Sequence, residues 1–307
     1  MLKKKGFIND IVLHPYRYAL LLPATLYTFI YGYCSYPYIV VAFKRFNYRL
    51  GVFGSPFNGL KNFEFFFKSN AAAVVIGNTL YLNFLFLVFT TLFSLALAIM
   101  LNEVRQRTYK RVSQSLMLFP HYLSWVVIGY MIYGVFSMEY GILNKVVQAL
   151  GGTPVNWYAK AEAWPAILVI MRIWKGSGMS AVIYLAAITG IDSEIYEAAE
   201  IDGASRWQQI LRITVPLLMP TVCILTLLSI GKIMYGDFGM IYAIVGDNGV
   251  LYPTTDIIDT YIFRALRQTG NPAQAMAISL FQSVIGFLMV FGTNKLASKL
   301  FPDGALY

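Results

Sequence analysis

Hydrophobic residues make up 58% of the 307-residue chain and charged residues 13%, with a mean hydropathy of +0.59. Soluble domains carry about 25% charged residues, so a soluble globular protein is excluded. The net charge of +9 fits basic flanks beside anionic headgroups, and no basic-aromatic pattern accompanies it to suggest nucleic acid. Cys34 and Cys223 both lie in apolar runs and read as packing residues. His14 and His121 are isolated, which gives no support to a metal site.

In chain order, residues 1–17 form a basic head (Lys3, Lys4, Lys5, Arg17). The run Tyr18–Phe43 has 26 residues without a charge. It is too long for a signal-peptide core and predicts a first membrane span, with kinks at Pro23 and Pro37. Residues 44–77 leave the membrane, with a turn at GSPFNG and a short amphipathic helix from Leu60 to Lys68 at the interface. A second span is predicted over Asn78–Leu101, where the small residues Ser94 and Ala98 allow close helix packing. A basic loop (Arg105, Arg107, Lys110, Arg111) leads to a third span over Ser113–Phe136, interrupted at Pro120-His121.

After a polar loop, a fourth span over Ala163–Thr189 carries Arg172 and Lys175. A fifth is expected over Leu217–Tyr235 and a sixth over Gln274–Leu296. With an inside N-terminus, Lys and Arg number twelve inside and nine outside. This favours cytoplasmic termini, with 297–307 as a short cytoplasmic tail.

Between the fourth and fifth spans lies IDSEIYEAAEIDGASRWQQILRITVP, residues 191–216. Asp192 and Ser193 are N-cap residue types, and Glu194 places negative charge in the first helical turn. Ala198 and Ala199 let another backbone approach. Gly203 reads as a helix stop, and Ser205 as the cap of a second helix that Pro216 would terminate. Such a helix, displayed between two spans, suits docking of a soluble partner.

Glu197-Ala198-Ala199, Asp202-Gly203-Ala204 and the later Ile213 and Val215-Pro216 resemble the EAA loop of permease subunits in type I ABC importers. The Leu expected before the Pro is replaced by Val215. SPFNGLKNFEFFF, Asn78-Thr79-Leu80, IWKGSGMSAVIYLAAITGID and PTTDIIDTYIFR resemble the carbohydrate-uptake permeases, above all those importing oligosaccharides and polysaccharide fragments. The resemblance implies an all-α membrane protein with six spans. The 190–216 loop becomes the coupling helix, within a permease core over 78–296. It further implies a bacterial plasma-membrane location, a second homologous permease subunit and two cytoplasmic ATPase subunits that hold ATP and Mg. An extracellular solute-binding protein would deliver a carbohydrate. Glu197, Ala198, Ala199, Asp202, Gly203 and Ala204 would couple to the ATPase, with Asp202 bracing the turn.

The chain has no G-x4-GK[ST] loop, no nucleophile elbow and no HExxH pair, so no cofactor site is expected on it. Charges within spans usually face a cavity or a partner. Arg172 and Lys175 share a helix face beside Trp174. Either they line a solute path, with the ring stacking on sugar, or they pin the fourth helix to nearby carbonyls or acids. Lys232 and Asp237 carry the same two readings. Tyr130 and Tyr133 share a face of the third span and either line the path or mark a membrane interface. Asp247 and Asn248, in GDNG, belong to the outward loop 236–273, which in the resembled family contacts the binding protein. Asp256 and Asp259 form a docking edge there or a solvated helix face. The competing function is an ion-coupled secondary transporter, which usually needs a carboxylate near mid-membrane; these spans are almost empty of acids.

Overall fold

The computed structural model describes residues 7–300. The basic head residues Lys3, Lys4 and Lys5 and the tail residues 301–307 lie outside them. Among the described residues the regular structure is helical, apart from two isolated β-bridges, Lys44–Phe57 and Asn47–Gly51.

The helices run α1 (Phe7–Leu13), α2 (Pro15–Thr28), α3 (Gly51–Gly54), α4 (Lys61–Phe67), α5 (Asn70–Glu103), α6 (Arg107–Tyr122), α7 (Trp125–Phe136) and α8 (Ile142–Ala149). They continue as α9 (Trp164–Thr189), α10 (Ser193–Ile201), α11 (Arg206–Gln209), α12 (Val215–Ile230), α13 (Phe238–Val245), α14 (Tyr252–Thr255), α15 (Ile258–Arg267) and α16 (Pro272–Leu300). Four helical stretches among the described residues are unbroken, long and apolar enough to cross a membrane: 70–103, 161–189, 206–230 and 272–295. The pair α6 and α7, bent by 95°, makes a fifth crossing if taken as one span.

The first apolar run differs from the single helix expected over Tyr18–Phe43. It is α2 followed by a π-helical turn, Phe29–Tyr33, and a 3-10 helix, Tyr36–Phe43. Pro23 sits inside α2 and Pro37 opens the 3-10 segment, so the break falls in the middle of the run. Proline at the start of a helix is well tolerated because its missing N–H has no helical partner there.

The centre is built by α5 against α9. Ser94 and Ala98 on α5 are fully buried, and Ala98 packs in one cluster with Ala181, Tyr184 and Leu185 of α9 and Leu218 of α12. Small side chains bring the two backbones together where apolar burial between helices in lipid supplies little drive. A second cluster joins Leu82, Phe86, Ile128, Trp164, Leu168, Met240 and Ile244 from α5, α7, α9 and α13. A third ties Phe66 of α4 and Ile258 of α15 to Ile278 of α16. The outer faces carry exposed Leu, Phe and Tyr side chains along α2, α5, α7 and α16, as expected of surfaces that meet lipid.

The expected loop 236–273 is largely ordered into α13, α14 and α15. The fifth span ends at Ile230, earlier than the expected Tyr235, because the chain leaves the helix in a series of turns over 231–234.

Candidate functional site

Two regions of the fold carry polar chemistry: the loop that holds α10 and a cavity between α5, α9 and α12.

In the loop, Asp192 adopts extended backbone and its carboxylate accepts the amide of Glu194 at 3.0 Å, capping α10. At the other end, Gly203 has φ +80°, and its N–H donates to Glu200 O at 3.0 Å while Ala204 N–H donates to Ala199 O at 2.9 Å. This pair of bonds is the Schellman closure, which favours Gly at the left-handed position. Asp202 is the residue before that turn; its N–H donates to Ala198 O at 3.0 Å, and its carboxylate is exposed with no side-chain partner among the described residues.

Ser205 and Gln208 then form a reciprocal capping box that starts α11. The expected stop at Pro216 does not occur. Pro216 lies in the first turn of α12, and the helix runs through it because the preceding five residues, Ile210–Thr214, form a π-turn. The wider turn relieves the clash and absorbs the missing donor that would break a regular helix. The loop is tied to this continuing helix by the Tyr196 hydroxyl on Thr214 Oγ1 at 2.9 Å and by Arg206 on Glu200 at 3.2 Å.

Glu197 and Ala198 face outward, Ala199 and Ala204 are half-buried, and the surrounding apolar side chains are open. Ile201 is 87% exposed and Trp207 71%. The capped, charged helix thus carries an uncovered apolar edge.

The cavity has a volume of about 510 Å³. Its wall includes Asn83, Thr90, Arg172, Ser180, Lys232 and Asp237, with the rings of Phe86, Tyr184 and Tyr235. Arg172 Nη1 donates to Asp237 Oδ2 at 2.6 Å, and Asp237 Oδ1 accepts the Met240 amide at 3.0 Å, so one carboxylate both pairs with α9 and caps α13. An adjoining cavity of about 250 Å³ shares Thr90, Arg172 and Ser180 and continues past His121 and Trp125.

Lys175 lines that adjoining cavity and is at the same time bonded to the α6–α7 bend. Its ammonium donates to Pro120 O at 3.3 Å and His121 O at 2.8 Å, and also to Leu123 O, and it lies 5.2 Å from the Trp125 ring centroid. Pro120 O also accepts the Leu123 N–H at 3.2 Å, and the carbonyls that the helix leaves at the bend need an internal donor inside a membrane. Close packing of α6 on α9 just before the bend needs Gly178, where a Cβ would stand 2.1 Å from Met117 O of α6.

Trp174, 40% exposed, lines neither cavity. Tyr130 and Tyr133 do not reach the central cavity. They border a shallow groove of about 930 Å³ between α7 and α13, with Tyr158 and Tyr242.

The outward acids are engaged inside the fold. Asp256 is 5% exposed and holds Arg264 through two hydrogen bonds, Nη1 to Oδ1 at 2.8 Å and Nη2 to Oδ2 at 2.5 Å. Asp259 accepts Gly236 N–H at 2.7 Å and the Gln282 amide at 3.2 Å. Burial pushes its carboxyl above the usual range, partly offset by those two donors. Neither residue is an exposed docking edge; a carboxylate three residues from another on a short helix gave no sign of the Arg264 and Gly236 partners that draw them inward. Asp247 is exposed but accepts from Tyr252 and Gln268, and Asn248 donates to Tyr158 O at 2.9 Å.

Asn83, Thr90, Ser180 and Tyr235 escaped sequence reasoning. Asn83 and Thr90 lie seven apart, two turns along one face of α5, which was the available signal.

A helical membrane bundle with a polar cavity at its centre and a capped, exposed helix between two spans is the architecture of a transport permease. The chain belongs to the family of binding-protein-dependent transport system inner membrane components, whose profile matches residues 90–301. It is 31% identical over 302 residues to the polygalacturonan/rhamnogalacturonan transport system permease protein YteP of Bacillus subtilis, covering 98% of this chain and 94% of the relative. It is 33% identical over 287 residues to protein LplB of the same organism, covering 94% and 90%. A bacterial ABC transporter involved in import of the acidic polysaccharide alginate superposes with a TM-score of 0.87 at 30% identity, over 97% of this chain and 100% of that one. The alginate transporter in complex with an alginate pentasaccharide-bound periplasmic protein gives 0.86, also at 30% identity, over 96% and 98%.

Proposed function

We propose that the chain pairs with a second permease subunit to form the path for a carbohydrate, an oligosaccharide or polysaccharide fragment handed over by an extracellular binding protein. Two cytoplasmic ATPase subunits holding ATP and Mg would drive the cycle. The carbohydrate assignment rests on relatives that handle polygalacturonan, rhamnogalacturonan and alginate. The assembly rests on family membership and on the alginate transporter's complex with a periplasmic protein.

The observation that carries this reading is α10, rigid at both ends and braced to α12, with Glu197 and Ala198 displayed beside the open side chains of Ile201 and Trp207. Seated in a groove of the ATPase, it acts as a handle. When ATP draws the two ATPase subunits together, the handle follows. Tyr196–Thr214 and Glu200–Arg206 pass its displacement to α12, and α9 moves with it through Leu185, Ile188 and Leu218. On this reading α10, the head and the tail face the cytosol, and the chain hydrolyses nothing itself.

The test is reconstitution of the permease pair, ATPase and binding protein in proteoliposomes. Uptake of labelled oligosaccharide should require ATP and Mg, stop with vanadate, and fall to background in Glu197→Lys. Uptake at full rate without the ATPase, driven by a proton or sodium gradient, would replace this reading with the secondary transporter.

A further inference from the structure

The central cavity contains a cation with nothing to hold. Lys232 lines it and is exposed, and its ammonium has no hydrogen-bond or ion-pair partner among the described residues. Thr90 Oγ1, on the wall shared by the two cavities, is buried and likewise unpartnered. Arg172 stands at that shared wall and commits Nη1 to Asp237; its guanidinium lies 6.0 Å from the Phe86 ring centroid. Among the charged groups lining the two cavities, Arg172, Lys175 and Lys232 are cationic and Asp237 alone is anionic. Lys175 is occupied by three carbonyls. The cavity therefore presents on its wall one cation whose side chain has no partner among the described residues and one that is paired with a carboxylate.

We propose that Lys232 and Arg172 form a carboxylate-exchange site for an acidic sugar residue, with the Arg172–Asp237 pair as its latch. This names the cargo group read by the path and rests on the carbohydrate-import reading above. An entering uronate is held by Lys232 and competes with Asp237 for Arg172. The guanidinium has five donors in a planar fork, so it can accept the incoming carboxylate bidentately as it releases Asp237. Asp237 keeps the Met240 amide as a partner and stays at the start of α13. The Arg172–Asp237 contact joins α9 to the chain segment after α12, so breaking it loosens a link between the two helices that flank the cavity. A neutral sugar offers no carboxylate for this exchange. The phenol ring of Tyr235 supplies a stacking face that any sugar can use.

The experiment uses the whole transporter in proteoliposomes and compares a uronate oligosaccharide with its methyl-esterified, uncharged form. Each is loaded on the binding protein, and the readout is the ratio of their uptake efficiencies. Lys232→Gln should cut the preference for the acidic form roughly tenfold, the scale of one charge-assisted contact, and Lys232→Arg should restore it. Asp237→Asn keeps an oxygen to cap Met240 but frees Arg172, and should shift the ratio the opposite way, toward tighter use of the acidic cargo. An unchanged ratio in both Lys232→Gln and Asp237→Asn overturns the proposal. So does a wild-type transporter that moves both forms equally well, which leaves carbohydrate import intact. A wild-type complex that moves neither form with ATP overturns both readings together.

Discussion

The α10 loop and the central cavity both carry charge, but they use it in opposite ways. In the loop, Glu194, Glu197 and Asp202 are exposed, and what order there is comes from caps written within a few residues of each other: Asp192 to Glu194, Gly203 to Glu200, Ser205 to Gln208. Around the cavity, Arg172 reaches 65 residues along the chain to Asp237, and Lys175 reaches more than 50 to the carbonyls of the α6–α7 bend. The loop, on the proposed reading a surface for another chain, is locally closed and outwardly open. An interior that must survive in lipid closes its polar groups across the fold.

That contrast breaks most severely at the bend. Gly178→Val would force a side chain into Met117 O, which only a shift of α6 against α9 can relieve. Correctly assembled protein should be nearly absent from detergent extracts, a loss of more than about 3 kcal/mol. Next comes Lys175→Met, which keeps the length of the side chain but leaves open carbonyls at the end of α6. It should lower thermal stability of the purified protein by about 3 kcal/mol, read by thermal unfolding. If it proves neutral, the bend is not held by this ammonium.

In the loop, Gly203→Val places a β-branched residue at φ +80°. The local cost is about 1–2 kcal/mol, so the protein should still fold while ATP-driven uptake collapses. Equal losses in folding and uptake would erase the distinction between the two regions. The smallest effect belongs to Tyr196→Phe, which removes one hydroxyl from Thr214 and should cost about 1 kcal/mol, with ATP hydrolysis retained and uptake per ATP reduced.

The same contrast explains what the amino-acid sequence disclosed. The caps of α10, the Gly203 turn, the start at Ser205 and the small residues Ser94 and Ala98 were legible because each signal is local or periodic. The continuation of the helix through Pro216 was not, since it depends on a π-turn that residue preferences do not announce. Nor was the inward turn of Asp256 and Asp259, which is decided by Arg264, Gly236 and Gln282. Charge within a span marked Arg172 and Lys175, but only the packed fold gives their partners, a carboxylate for Arg172 and the carbonyls of the bend for Lys175. Asn83 and Thr90 went unread, because two polar residues seven apart on α5 mean nothing until α9 and α12 close a cavity over them.

The account stands on α10 being the point where an external motor grips the chain. A photo-crosslinking residue placed at Ile201, and separately at Tyr130, in the purified transporter tests this directly. Illumination should join the Ile201 position to the nucleotide-binding ATPase subunit, with a yield that changes on vanadate trapping, and the Tyr130 position should give no such adduct. An ATPase adduct from Tyr130, or none from Ile201 in a complex that hydrolyses ATP and imports cargo, would contradict it.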